Sequence, residues 1–363
     1  MESFANLIRK LDERHAVLSK KRICVGFDGY IDKLYRVVSS RSDSNKFSLF
    51  KTIDEFANRV GKASKKSADI EILLQEIRYG GNAPLTANCL ASLDCPTKCI
   101  GLLGEPLVHE AFGVLHSNCY PISIGSPCQT IAFEFEDGKL MFGEQSHMQM
   151  LNWELLKQSI GLEKLTNIFM ESDLIGIFNW SSAVQMNGML HEIISEILPK
   201  MEKEKIIFFD VSDPSSRSRL DIDELLLLFH EMKQYVKVML SVNQNELQVL
   251  GERAGIYNCT NTDQLASELF DTLGVHVLIV HLTNQSIGIS RTQMEKAEGV
   301  FVKAPLVSTG GGDHFNGGFC IGLLLGLTLQ ESLFLGNIVA SFYVSHGHSA
   351  NYQELIAFIE QYK

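Results

Sequence analysis

The sequence predicts one α/β domain, a mostly parallel sheet covered by helices on both faces. Two observations predict it. Short apolar runs of strand length alternate with helical segments from residue 22 onward. The chain has 363 residues, 45% of them hydrophobic, enough for one large core, and it carries no internal repeat or low-complexity tract. A formal net charge of −11 opposes nucleic acid or an anionic membrane as a general partner, while leaving room for a local positive pocket.

The elements follow in order. Phe4, Leu7, Ile8 and Leu11 sit at helical spacing among charges, so residues 1–21 read as a leading helix and not as a signal peptide. Ile23 to Gly26 is a short buried strand. Asp28 and Asp32 follow where that strand gives way to a loop, the position at which open α/β sheets bind ligands; an ordinary Asp-Gly turn is the plainer alternative. After a polar stretch, Ile53, Phe56, Val60 and Ala63 mark the apolar face of a helix. Gly80 and Gly81 open another, with Leu85, Asn88, Cys89 and Ala91 behind them and Pro84 in the tolerant first turn. Such a start suits a polar ligand or tight packing.

Thr130 to Phe142 reads as a hairpin turning at Asp137-Gly138. Leu174 to Phe178 is a buried strand ending at Asn179-Trp180, a pair suited to flanking a ligand or capping the sheet. Ile206 to Phe209 runs into Asp210-Val-Ser-Asp-Pro-Ser-Ser-Arg217. Val238 to Val242 ends at Asn243-Gln-Asn-Glu246, and Val275 to Leu282 reaches Thr283-Asn-Gln-Ser-Ile-Gly288. The apolar run Phe319 to Leu329 is a buried helix, too short to span a bilayer. Cys95 and Cys99 lack a second such pair, which opposes a metal site. The eight cysteines read as reduced thiols of a cytoplasmic protein.

One stretch organises the rest: Ser308-Thr-Gly-Gly-Gly-Asp-His-Phe-Asn-Gly-Gly318. Glycines before a helix let a ligand approach the main chain, and the helix start turns unpaired N–H groups toward it. A carboxylate beside an anion is electrostatically awkward unless it does chemistry, such as taking a proton from an attacking hydroxyl. The plainer reading is close packing, with Asp313 as a cap. No Lys-Ser/Thr follows the glycines, so this is not a Walker A loop.

The order Thr-Gly-Gly-Gly-Asp, then Phe315, then Gly317-Gly318, resembles the C-terminal signature of the ribokinase-like (PfkB) carbohydrate kinases. Their pattern is Thr-Gly-Ala-Gly-Asp, a small residue, Phe and a Gly-rich helix start; His314 stands in place of the small residue. The resemblance covers nearly the whole chain. It implies a ribokinase-like three-layer sandwich with a small β lid at about residues 33–79 and 120–145. Asp313 would be the general base, and Gly310, Gly311 and Gly312 would hold the transferring phosphate. Asp32, with Asp28 as the alternative, would bind the sugar together with Gly81 and Asn82. Asn179 and Arg217 are further substrate candidates, although Arg217 could equally make a surface ion pair. Asn243 and Glu246 match the family's Asn-x-x-Glu element, which arranges water and Mg²⁺ about the nucleotide. Thr283, Gly288 and Asn337 fall near the ATP, although Gln285 replaces the first glycine of that loop. The implied cofactors are ATP and Mg²⁺. The implied partners are a sugar or related small alcohol and a second copy joined through the lid. A nucleoside kinase of the same fold is the alternative enzyme. A sugar-binding regulator without catalysis is the non-enzymatic one, and the intact Asp313 and glycine run oppose it.

Overall fold

The computed structural model describes residues 2–257, 259–300, 302–303, 305–307 and 309–361. Ser308, the first residue of the glycine stretch, lies outside the described residues. Nine strands form one sheet. From one edge to the other they are Met294–Glu298, Gln285–Ser290, Val277–His281, Lys237–Asn243, Ile206–Asp210, Leu174–Phe178, Ile23–Gly26, Thr97–Gly101 and Cys119–Ser123. The pairings from Cys119–Ser123 across to Val277–His281 are all parallel; the last two strands turn back antiparallel.

The strands are apolar on both sides because both faces are covered. Ile175, Ile177, Ile207, Phe209 and Leu240 enter one core, with residues of the helices Leu162–Glu171, Met186–Glu196 and Arg219–Met232. Their neighbours Leu174, Phe178, Phe208 and Met239 enter the other, with the helices Glu2–Arg14, Asn82–Ser92, Gly311–Leu324 and Leu329–His346. The period-2 geometry of a strand makes this division. The run Phe319 to Leu329 is not one helix. The first helix stops at Leu324, Gly326 turns with φ +65, and Thr328 caps the next in a capping box with Glu331.

A separate sheet forms the lid from Tyr30–Asp43, Lys46–Leu49, Ile72–Gly80, Cys128–Glu134 and Lys139–Glu144. These bounds differ from 33–79 and 120–145. The lid begins almost at the end of the first core strand, and residues 119–123 pair in the main sheet instead. The inserted helix Ile53–Gly61 packs on the lid: Phe56 joins Val37 and Phe135 in a small core, its ring 5.5 Å from that of Phe135 and 5.8 Å from that of Phe133. Among the described residues no helix is long and apolar enough to cross a membrane.

Candidate active site

The parallel strands deliver their carboxyl ends to one rim, and the lid stands over it. Between them lies a cavity of about 1450 Å³. Asp32, Arg78 and Thr130 line it from the lid; Asn82, Asn179, Ser212, Arg217, Gly310 and Asp313 line it from the body.

Asp313 lies in the first turn of the helix Gly311–Leu324. Gly310 caps that helix with φ +89, and a Cβ there would lie 2.9 Å from the Tyr343 hydroxyl, so a glycine is required. The Asp313 carboxylate is only 6% exposed and accepts a hydrogen bond from Asn82 Nδ2 at 2.9 Å. Burial raises its pKa well above the carboxylate range, and the charges of Asp210 and Asp28 add to that. A carboxylate held in this way takes up its proton nearer neutral pH than a free one.

Asn82 is set by Asp28. The fully buried Asp28 carboxylate accepts from the backbone N–H of Asn82 at 2.9 Å, that of Ala83 at 2.8 Å and Asn179 Nδ2 at 2.9 Å. It therefore caps the helix Asn82–Ser92, and its oxygens face protein donors rather than the cavity. Asp32 is the carboxylate that lines the cavity, paired across the lid ladder with Arg78.

Sequence reasoning passed over Asp210, Ser212 and Asn316. Asp210 ends a core strand and accepts from Ser212 N at 2.8 Å and Asn316 Nδ2 at 2.7 Å. Ser212 Oγ donates in turn to Asn82 Oδ1 at 3.3 Å. Ser212 holds φ +55 and Asn179 φ +56, a left-handed backbone at two adjoining strand ends. The missed signal for Asp210 was an acid directly following an apolar strand, and for Asn316 its place one turn beyond Asp313.

Asn243, Glu246, Thr283, Gly288 and Asn337 stand apart from the cavity. Asn243 and Glu246 cap the next helix reciprocally: Glu246 accepts from Asn243 N at 2.9 Å and from Asn243 Nδ2 at 2.6 Å. Burial and the nearby Asp210 push the Glu246 pKa up to about 8. Thr283 is exposed in a turn. Gly288 sits mid-strand opposite Ile279, where a Cβ would meet Leu329 at 2.9 Å, so its smallness serves packing. Asn337 gives its amide N–H groups to Ser286 Oγ and the Ala297 carbonyl, both at 3.0 Å, and ties its helix to the sheet. Arg217 is not on the surface: it is 5% exposed, with its guanidinium 4.4 Å from the Trp180 ring.

The family model for prokaryotic ketohexokinase matches residues 5–362. The chain belongs to the prokaryotic ketohexokinase family. A protein named ketohexokinase from Haloferax volcanii is 29% identical over 357 residues, covering 94% of this chain and 91% of its own. Inositol 3-kinase of Arabidopsis thaliana is 27% identical over 161 residues, 44% of this chain and 43% of its own. Arabidopsis thaliana ribokinase, complexed with ribose and ATP, shares the fold at TM-score 0.65 and 15% identity, over 94% of this chain and 98% of that one. Adenosine kinase from Sinorhizobium meliloti does so at TM-score 0.63 and 17% identity, over 94% and 99%. As a prokaryotic ketohexokinase family member, the chain is a ribokinase-like carbohydrate kinase, an ATP-using phosphotransferase with a sugar hydroxyl as acceptor.

Proposed function

We propose that this kinase phosphorylates a ketohexose, with Asp313 as the general base. The observation that carries the reading is the meeting of Asp313 and Asn82 at the cavity floor, beside the left-handed turn at Gly310. The family match and the name of the Haloferax volcanii relative supply the substrate class. Asp32 faces the cavity from the lid and accepts sugar hydroxyls. Asn82 orients Asp313, which removes the proton of the attacking hydroxyl. The first-turn amides after Gly310 stabilise charge on the transferring phosphoryl group. Arg78, whose Nη2 donates to Thr309 Oγ1 at 3.2 Å, adds positive charge beside that turn.

The residues fit Mg²⁺ held through its own waters. Among the described residues no three acidic, His or Cys side chains gather as a metal cage. Burial raises the pKa values of Asp210 and Glu246, the charge of Asp28 adding at Asp210 and that of Asp210 at Glu246, and Asn316 Oδ1 is buried without a partner. Such an acid-rich field, with a spare acceptor, suits a hydrated cation shared with phosphates. Bound Mg²⁺ supplies neutralisation of phosphate charge; Glu246 and Asn243 would hold its waters.

The eight cysteines are free thiols, which supports a cytoplasmic setting. A second copy docking on the lid is supported by one exposed rung. There Ile77 and Ile131 flank Lys33, Phe142 follows Ile131, and the three apolar side chains are 40–55% exposed.

The test is ADP formation from Mg·ATP with ketohexoses, aldoses, polyols and nucleosides. Ketohexose-dependent turnover is expected, falling by roughly 10²–10⁴-fold in Asp313→Asn with sugar binding retained. Turnover only with a nucleoside, or full activity in Asp313→Asn, would overturn the reading.

A further inference from the structure

We propose that His314 is a positioning residue that clamps the carbonyl of Gly310 and so aims the amides of the glycine turn at the phosphate. The proposal rests on the kinase reading above.

The His314 side chain is fully buried, one residue after the base. Its Nδ1 lies 2.7 Å from the Gly310 carbonyl oxygen, and its Nε2 lies 2.8 Å from Ser349 Oγ. A carbonyl only accepts, so Nδ1 carries the proton. Burial lowers the pKa of the ring to about 4, which keeps it neutral, so Nε2 accepts from the Ser349 hydroxyl. Ser349 Oγ accepts in turn from Asn88 Nδ2 at 2.9 Å, and Asn88 Oδ1 accepts from the backbone N–H of His116 at 2.8 Å. The two backbone ends fix the polarity at Nδ1 and at Asn88, and the neutral ring fixes it at Ser349. The imidazole also stacks on Tyr343, 3.5 Å between ring centres and 12° from parallel.

The consequence falls on Gly310. Its carbonyl accepts twice, from His314 N–H at 3.1 Å and from Nδ1 at 2.7 Å. Both lone pairs are thereby turned into the helix, and the negative end of that peptide dipole is held off the anion site. Rotation of the Gly310 peptide would point an oxygen at the incoming phosphate, and a glycine with φ +89 has no side chain of its own to resist it. Asn88 belongs to the helix whose N-terminus carries Asn82, so the relay also holds the two helix starts that meet at Asp313. A small residue after the base has no group that reaches Gly310; the histidine adds this clamp.

The experiment compares wild type, His314→Ala, His314→Asn and Ser349→Ala by steady-state kinetics with Mg·ATP and the ketohexose, alongside thermal melts. An Asn amide N–H occupies nearly the place of Nδ1–H and restores the Gly310 bond alone. His314→Ala is expected to lower kcat on the order of 10- to 100-fold, as misplaced catalytic groups do. The sugar KM should change little. His314→Asn should regain most of the loss, and Ser349→Ala should fall between. If His314→Ala does not fold, the other two variants carry the test. Wild-type kcat in His314→Ala overturns the proposal, as does a His314→Asn kcat no higher than that of Ser349→Ala, or kcat losses in these two variants that merely scale with their loss of melting temperature. Wild type without sugar-dependent turnover defeats the kinase reading itself.

Discussion

Asp28 and Asp32 look alike in the sequence, and replacing each by Asn separates them. Asp28 accepts three hydrogen bonds from N–H donors at 2.8–2.9 Å. Asparagine offers one oxygen where the carboxylate offers two. Aiming that oxygen at Asn82 N–H and Asn179 Nδ2 leaves the Ala83 N–H facing an –NH₂ group. An orphaned buried donor costs about 1–3 kcal/mol, and each remaining bond weakens by about 1 kcal/mol on losing its charge. Relief of a buried carboxylate, whose pKa burial has raised, offsets part of this. The net expectation is a loss of about 2–4 kcal/mol in Asp28→Asn, or roughly 3–5 °C in melting temperature for a chain of this length. Asp32→Asn should melt within about 2 °C of wild type, as changes away from the core do. Its sugar KM should rise on the order of tenfold or more through loss of a charged acceptor. Differential scanning fluorimetry and sugar titrations at saturating ATP measure both. An unchanged melting temperature in Asp28→Asn, with a KM raised more than in Asp32→Asn, would refute the argument and make Asp28 the sugar ligand.

Two further outcomes are expected. The folded protein holds the Glu246 proton up to about pH 8, whereas an ordinary glutamate releases it near 4.5. That contribution to stability is complete below about pH 4.5 and is lost as pH rises through about 8. Asp313, Asp210 and Asp28 are raised too and act in the same direction. Melting temperature should therefore decline between pH 5 and 8.5, less steeply in Glu246→Gln; a flat or rising curve would contradict the burial argument. If the exposed rung of the lid joins two copies, Phe142→Glu should shift the sedimenting species from dimer toward monomer, and a wild type that is monomeric at micromolar concentration would remove the lid interface.

Much of the fold was legible because its signals are local. A core strand buried on both faces must be apolar throughout, and Leu174–Phe178 reads so residue by residue. Glycines before a helix announce an unusual backbone, and Gly81 and Gly310 both take positive φ. The split of the run Phe319 to Leu329 was also written locally, in Gly326 and the Thr328–Glu331 capping box, but hydrophobicity alone concealed it.

The sequence by itself determined the alternation of strands and helices, the glycine turn and the acid that follows it. These depend on backbone geometry and on periodicity within a few residues. The tertiary structure decided what each polar side chain does. Asp28 caps a helix that begins 54 residues later, Asn337 braces the strand that holds Ser286, and His314 reaches Ser349 and through it Asn88. The reason is that a hydrogen bond is made with whichever partner the fold brings within about 3 Å. For these residues that partner lies on another element, whose position depends on how the whole chain packs.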